Sequence, residues 1–402
     1  MQEHTCSTGC MIAIVAFLLL LSVGWTQQPK PGGTLRVAWE ADISGLDPHL
    51  SFGMQARLVV GNLFNSLVTI DPELNFVPDL AESWEVLENS KVYVFHLRKG
   101  ITFHDGTDFD AEAVRWNYQR VVDPEEKTLD APYYNGIVEA VEALDAHTVK
   151  FTLKHPIRTL LAALAADRVG FLLMSPASYK KWGREDVRLH PVGTGPFRLA
   201  RWEQNQVIAL EKNPHYFKPG LPYLDGLELR IMKDGVTRVT ALRAGEVDFA
   251  NLMPREHVER LSRDPQIYVL RGKDTQRIVT QLNLKNPAFK DVRVRRAVLG
   301  YGLDRPAIVK TALLGQAQPL WSFVPPGSQG HLDFGEQFLY DPEKARALLK
   351  EAGYDFQRYV VQNMMTTSVS SYAHLQAART SVKGYENLHG YKLRFETTWL
   401  DK

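Results

Sequence analysis

The chain has 402 residues, 45% hydrophobic and 23% charged, which is enough for two or three domains with cores of their own. Its 47 basic and 46 acidic residues leave a formal charge of +1, so no basic field favours nucleic acid or an anionic membrane as partner. The first element is the apolar run at residues 11–23, MIAIVAFLLLLSV. Its length fits the core of a signal peptide and falls short of the ~20 residues of a membrane span. We therefore expect residues 1–26 to be an export signal, with an uncleaved anchor as the alternative, because no Lys or Arg precedes the run. Cys6 and Cys10 both lie before it. A mature chain starting near Gln27 has no cysteine, which removes disulfides, thiolate metal sites and a cysteine nucleophile together.

Short strands and amphipathic helices then alternate, the pattern of an α/β protein. Alternation predicts strands at residues 34–39, 92–97 and 148–153 and a hairpin of 197–202 with 207–210. Further strands are expected at 227–232 and 277–284. Helical spacing predicts helices at 55–67, 111–120, 159–166, 236–244, 291–299, 305–314 and 342–352. Asp110 and Asp341 are placed as N-caps, Pro342 as a first helical residue and Gly245 as a C-terminal stop. Trp84, Val92, Val94 and Leu97 are expected to pack one sheet face. No repeat or low-complexity linker separates these elements, so the domains should be interleaved.

The motifs of common catalytic and nucleotide sites are missing: no Walker loop, no G-x-G-x-x-G between strand and helix, no H-E-x-x-H and no G-x-S-x-G. Gly193-Thr194-Gly195-Pro196 reads as a tight turn, since Pro196 has no N–H to offer an anion and a strand follows. His96, His104 and Asp105 lie close in sequence without a third well-spaced ligand, which favours structural or solvated roles over a metal site.

Residues 78–117 (PDLAESWEVLENSKVYVFHLRKGITFHDGTDFDAEAVRWN) resemble the hallmark segment of the peptide/nickel (family 5) extracellular solute-binding proteins of bacterial ABC importers. Further matches follow the family's order: LDPH at 46–49, LFNSL at 63–67, VGTGPF at 192–197, NPHY at 213–216, LRAGEVD at 242–248, FKDVRVRRA at 289–297 and YDPEKARALLKEAG at 340–353. The hallmark residues themselves read as scaffold. The resemblance implies a two-lobed periplasmic-binding-protein type II fold with mixed sheets and flanking helices. It divides the chain into a first lobe at 27–282, with a subdomain inserted at about 50–190, a partial second lobe at 283–360, and a tail at 361–402 returning to the first lobe.

It also implies a non-enzymatic receptor without cofactor or metal. That receptor captures peptides or similar small polar solutes by lobe closure and delivers them to an inner-membrane permease with its ATPase subunits. Such a protein is a monomer in the periplasm. Carried over by position, the ligand contacts are Ser51, Phe52 and Met54 in the loop after the first strand, Tyr133 and Tyr134, Arg168, and Trp321 in the second lobe; the hinge falls at Asn283 and Leu284. A ligand-presenting sensor or chaperone on the same scaffold, or a secreted hydrolase, are the alternatives. One departure from the family is expected to matter: after residues 351–354 most of the second lobe is skipped, by a deletion near 354–362 or by natural shortening, which should leave apolar helix surface uncovered.

Overall fold

Strand Thr34–Trp39 turns Leu35, Val37 and Trp39 to one side of a sheet and Ala38 to the other, and all four are buried. It is the central strand of seven. Gly226–Ile231 and Phe249–Ala250 flank it, both parallel to it, and the antiparallel pair Val207–Lys212 and Phe197–Glu203 extends one side. On the other side Leu375–Arg379 inserts antiparallel between Phe249–Ala250 and Ile267–Arg271. The helix Gly235–Ala244 joins two of the parallel strands. Asp234 caps it by accepting from Thr237 N at 2.8 Å, and Gly245 ends it with φ 76°, a conformation that costs a residue without Cβ little. The computed structural model describes residues 28–401 apart from 52, 74, 166–170, 272–275, 280, 325, 327–330, 355–369, 373–374 and 386–394. The apolar run at 11–23, both cysteines and the junction at 355–362 lie outside the described residues.

Between the first strand and the hairpin the chain builds a four-stranded antiparallel sheet from Ala81–Leu87, Val92–Leu97, Thr148–Leu153 and Val138–Asp145. The helices Ala111–Val122 and Leu160–Ala165 share its core. Asp110 accepts from Ala113 N at 2.8 Å and so starts the first of them where the sequence places it. The core face of Val92–Leu97 carries Tyr93, Phe95 and Leu97 with Trp84 packed alongside. Val92 and Val94 belong to the opposite parity, which corrects the expected grouping: successive strand residues face opposite ways. The family motifs interlock. Asn65 donates to both oxygens of the fully buried Asp79 at 3.1 and 3.0 Å, and Thr194 donates to Asn65 at 3.2 Å. Gly193 and Gly195 press on the Leu63 backbone, where a Cβ would stand 2.2 Å from the Leu63 oxygen and 2.4 Å from its carbonyl carbon. The turn is there for close packing.

The described residues of 281–354 form a small helical unit around Phe289, Val294, Ala297, Ala345 and Leu349. Asp341 caps Pro342–Glu351 by accepting from Lys344 N at 3.0 Å. The predicted helix at 291–299 is Val292–Arg295 followed by a π-helical stretch, Arg296–Tyr301. Two other predictions shorten. The helix expected at 55–67 is Met54–Val60, because Gly61 and Asn62 leave the helix and the Leu63 carbonyl accepts from Gly195 N at 3.0 Å. The strand expected at 277–284 is Gln276–Ile278, paired with Ser370–Tyr372, which also pairs with Ala317–Pro319. In this unit Phe323 is 74% exposed, Leu332 64% and Leu339 57%.

Candidate ligand-binding site

Ligands of open α/β sheets sit outside the carboxyl ends of parallel strands, where the chain departs to either side. Here that edge is formed by the residues after Trp39, Ile231 and Ala250, joined by the start of Leu375–Arg379 and the end of Ile267–Arg271. A line of polar side chains crosses it. Glu40 accepts from Asn251 Nδ2 at 2.9 Å and from Gln55 Nε2 at 3.2 Å. Gln376 donates to Asn251 Oδ1 at 3.3 Å and accepts from Tyr385 OH at 3.0 Å. Glu40, Asn251 and Gln376 are all buried, so each needs these partners. Arg238 is held nearby by the carbonyls of Met232, Lys233 and Leu252; burial brings its pKa down against the opposing charges of Glu40 and Asp234. Amides and a carboxylate on a rigid sheet edge suit recognition of a small polar molecule through hydrogen bonds.

Two chain crossings leave this edge. Arg271 ends the last strand of the large sheet and Gln276 opens the small three-stranded one; Tyr372 ends the return strand and Leu375 re-enters the large sheet. Asn283 and Leu284 lie beyond them. Asn283 accepts from Lys285 N at 3.0 Å in the turn before the helix Pro287–Lys290, and Leu284 is 57% exposed. The expected hinge pair thus follows the strand Gln276–Ile278 and lies in a turn.

The predicted contacts divide. Ser51 is buried with its hydroxyl donating to Gly45 O at 2.9 Å, and it lines a crevice on the first lobe's flank. Tyr134 is a core residue against Phe171, with burial driving its hydroxyl pKa well up. The neighbouring Tyr133 is exposed and meets Tyr134 edge-on at 5.4 Å. Trp321 lines a cavity of about 410 Å³ in the helical unit, together with Phe323, Phe338, Arg295, Arg296 and Arg305. Phe52 and Arg168 lie outside the described residues, as does the side chain of Met54, which begins the helix Met54–Val60. Glu40, Asn251 and Gln376 went unnoticed in the sequence. Glu40 alone left a signal, as the first residue past a predicted parallel strand.

The loop below Glu40 is fixed by a buried charge cluster. Arg120 donates to both oxygens of Asp47 at 2.6 and 3.1 Å and lies 3.2 Å from Glu126. Its guanidinium stands over the Tyr179 ring at 4.6 Å. Arg120 holds the Asp47 carboxyl below the usual range against the opposing effect of burial. Burial first, then Arg120, lowers His49 to about 4, so the ring is neutral. Nδ1 of that ring accepts from Arg120 at 3.1 Å, which leaves Nε2 to donate to Leu172 O at 2.8 Å. His104 is likewise brought down to about 4 by burial, with Nε2 on Gly195 O at 3.0 Å; His96 meets Glu85 at the surface. Among the described residues no three His, Cys, Asp or Glu side chains are grouped to hold a metal ion, and no helix is long and apolar enough to cross a membrane.

The sequence profile of the bacterial extracellular solute-binding proteins, family 5 (middle part), matches residues 75–389. The chain belongs to that family. It is 34% identical over 365 residues to the glutathione-binding protein GsiB of Escherichia coli O1:K1, an alignment covering 91% of this chain and 69% of GsiB. Among solved structures, the periplasmic binding protein DppA of Helicobacter pylori in complex with the peptide STSA superimposes with a TM-score of 0.81 at 22% identity, over 93% of this chain and 99% of that one. The dipeptide binding protein of Pseudoalteromonas sp. SM9913 in complex with Met-Leu gives 0.78 at 18%, over 92% and 100%. These likenesses establish the α/β fold of the type II periplasmic binding proteins. The family 5 relatives are binding proteins of transporters.

Proposed function

We propose that this family 5 protein is the substrate-binding component of an ABC importer, and that its ligand is a short peptide, with glutathione the first candidate. The observation that carries the reading is the polar sheet edge Glu40–Asn251–Gln376 lying where both chain crossings leave the large sheet. A ligand held there contacts the first lobe and meets the second lobe on closure. Capture is reversible and involves no covalent step; closure removes the ligand from water and presents it to a permease driven by separate ATPase subunits. The working form is a monomer in the periplasm, reached by way of an export signal in residues 1–26. The name of GsiB and the peptides bound by the two structural neighbours support this ligand class.

The test is calorimetry and thermal unfolding of the chain from Gln27 onward with glutathione and a panel of di- to pentapeptides. A ligand binding only the native state at a hundred times its Kd stabilises it by about 2.7 kcal/mol. We expect one peptide class to do so, and Glu40→Gln to weaken that binding at least tenfold. A transition that no peptide moves would rule the reading out.

A further inference from the structure

On the flank of the first lobe a crevice of about 280 Å³ opens between residues 44–51, the loop after the helix Ala111–Val122 and the helix Pro176–Asp186. Its charges are layered. Asp47, Ser51 and Glu126 line it and are each more than nine-tenths buried. Behind them Arg120 is the only cation of the cluster among the described residues: two carboxylates face one guanidinium, and His49 is neutral, leaving one negative charge at the floor. Glu126 Oε1 accepts from Tyr179 OH, whereas its Oε2, 3.2 Å from Arg120, accepts no hydrogen bond. That oxygen is closed off from solvent, so the floor attracts through its charge.

The outer rim has the opposite sign. Lys127, Arg184 and Arg188 line it against Glu185 alone. Arg184 spends one N–H on Glu126 O at 3.1 Å, and Arg188 spends two, on Ser44 O at 3.1 Å and Glu185 O at 3.0 Å. Lys127 engages no partner among the described residues and is held at the rim with φ 54°. An acidic floor beneath a basic rim, in a space of this size, complements a molecule that carries one charge of each sign.

We propose that this crevice is a second ligand site of the first lobe, taking a small free α-amino acid with its ammonium group inward on Glu126 and its carboxylate outward on Lys127, Arg184 and Arg188. The site is independent of the interlobe cleft and of what the cleft binds. An amino acid seated there would bridge the LDPH loop to the helix Pro176–Asp186.

Calorimetry on the whole purified chain tests it with L-alanine, N-acetyl-L-alanine and L-alanine methyl ester. L-alanine should bind, and removing either charge should weaken binding at least tenfold. The rim variant Lys127→Glu/Arg188→Glu, at two exposed positions, should weaken L-alanine at least tenfold and leave glutathione untouched. Glu40→Gln should do the reverse. Three results would overturn the proposal: no L-alanine binding, equal binding of the blocked forms, or L-alanine lost with Glu40→Gln and kept in the rim variant. A chain that binds L-alanine as described and no peptide would instead count against the importer reading alone.

Discussion

Arg120, near the end of the helix Ala111–Val122, grips Asp47 with two hydrogen bonds of 2.6 and 3.1 Å although both side chains are almost wholly buried. The pair joins the part of the chain that packs on the large sheet to the part that packs on the four-stranded one. It fastens the loop after the central strand to the helix that covers the four-stranded sheet.

Cutting that fastening leaves a buried charge alone. Arg120→Ala strips Asp47 and Glu126 of their shared guanidinium and should cost about 3–5 kcal/mol of stability. Urea unfolding at neutral pH measures the loss. A cost below about 1 kcal/mol would show that water replaces the guanidinium and that the loop is not held this way.

Stability should fall on mild acidification. His49 and His104 have folded values near 4, while an unfolded histidine titrates near 6.5. Between those values the unfolded chain binds protons that the folded chain refuses, so unfolding gains from every drop in pH. Each ring removes roughly 3 kcal/mol by the time the pH reaches 4. Asp47, whose folded pKa is lowered, adds its own loss only below the ordinary carboxylate range. Urea midpoints at pH 7.5, 6 and 5 should decline steadily, and less so in His49→Gln. Equal midpoints at all three would refute the assignment of neutral, buried rings.

Two glycines that look equivalent in the sequence should behave oppositely. Gly193→Ala drives a Cβ to within 2.2 Å of the Leu63 carbonyl oxygen, where no side chain can yield, and should destabilise by about 3 kcal/mol or more. Gly136, in the helix Ala131–Ile137, has nothing within 4 Å and an ordinary φ. Gly136→Ala should therefore add about 0.4–1 kcal/mol, chiefly by restricting the unfolded chain. The two melting temperatures settle it.

At the polar edge, Asn251→Leu orphans one oxygen of Glu40 and the amide of Gln376, each already out of water. A loss of roughly 1–3 kcal/mol is expected for each group so stranded. A double-mutant cycle of Asn251 with Gln376 should give a coupling energy clearly different from zero; strict additivity would mean that the side chains act separately.

The helical unit should bind hydrophobic dye in the native state, since Phe323 is 74%, Leu332 64% and Leu339 57% exposed. Replacing the three by Ser should cut dye fluorescence with a stability change within about 0.5 kcal/mol for each. Unchanged fluorescence would locate the adhesive surface elsewhere.

Three strands were legible in the sequence: Thr34–Trp39, Val92–Leu97 and Thr148–Leu153 have the bounds expected of them. Ala81–Leu87 and Val138–Asp145 were not read as strands. They are the two edges of their sheet, and their exposed acidic residues mask the period. Leu375–Arg379 carries Ala377 and Ala378, better suited to a helix, and becomes a strand because neighbours on both sides supply its hydrogen bonds. Tyr133 and Tyr134 were indistinguishable by type; adjacent positions on a short helix point apart, so one is core and one is surface. Asn251 and Gln376 meet only because the sheet brings together residues 125 apart, a relation no local pattern records.

That late strand sets an order of events during synthesis. Residues 375–379 fill the slot between strands made more than a hundred residues earlier, so the large sheet stays open until that strand has been made. Until it arrives, Phe249–Ala250 and Ile267–Arg271 each lack a hydrogen-bonded neighbour on the side that it fills.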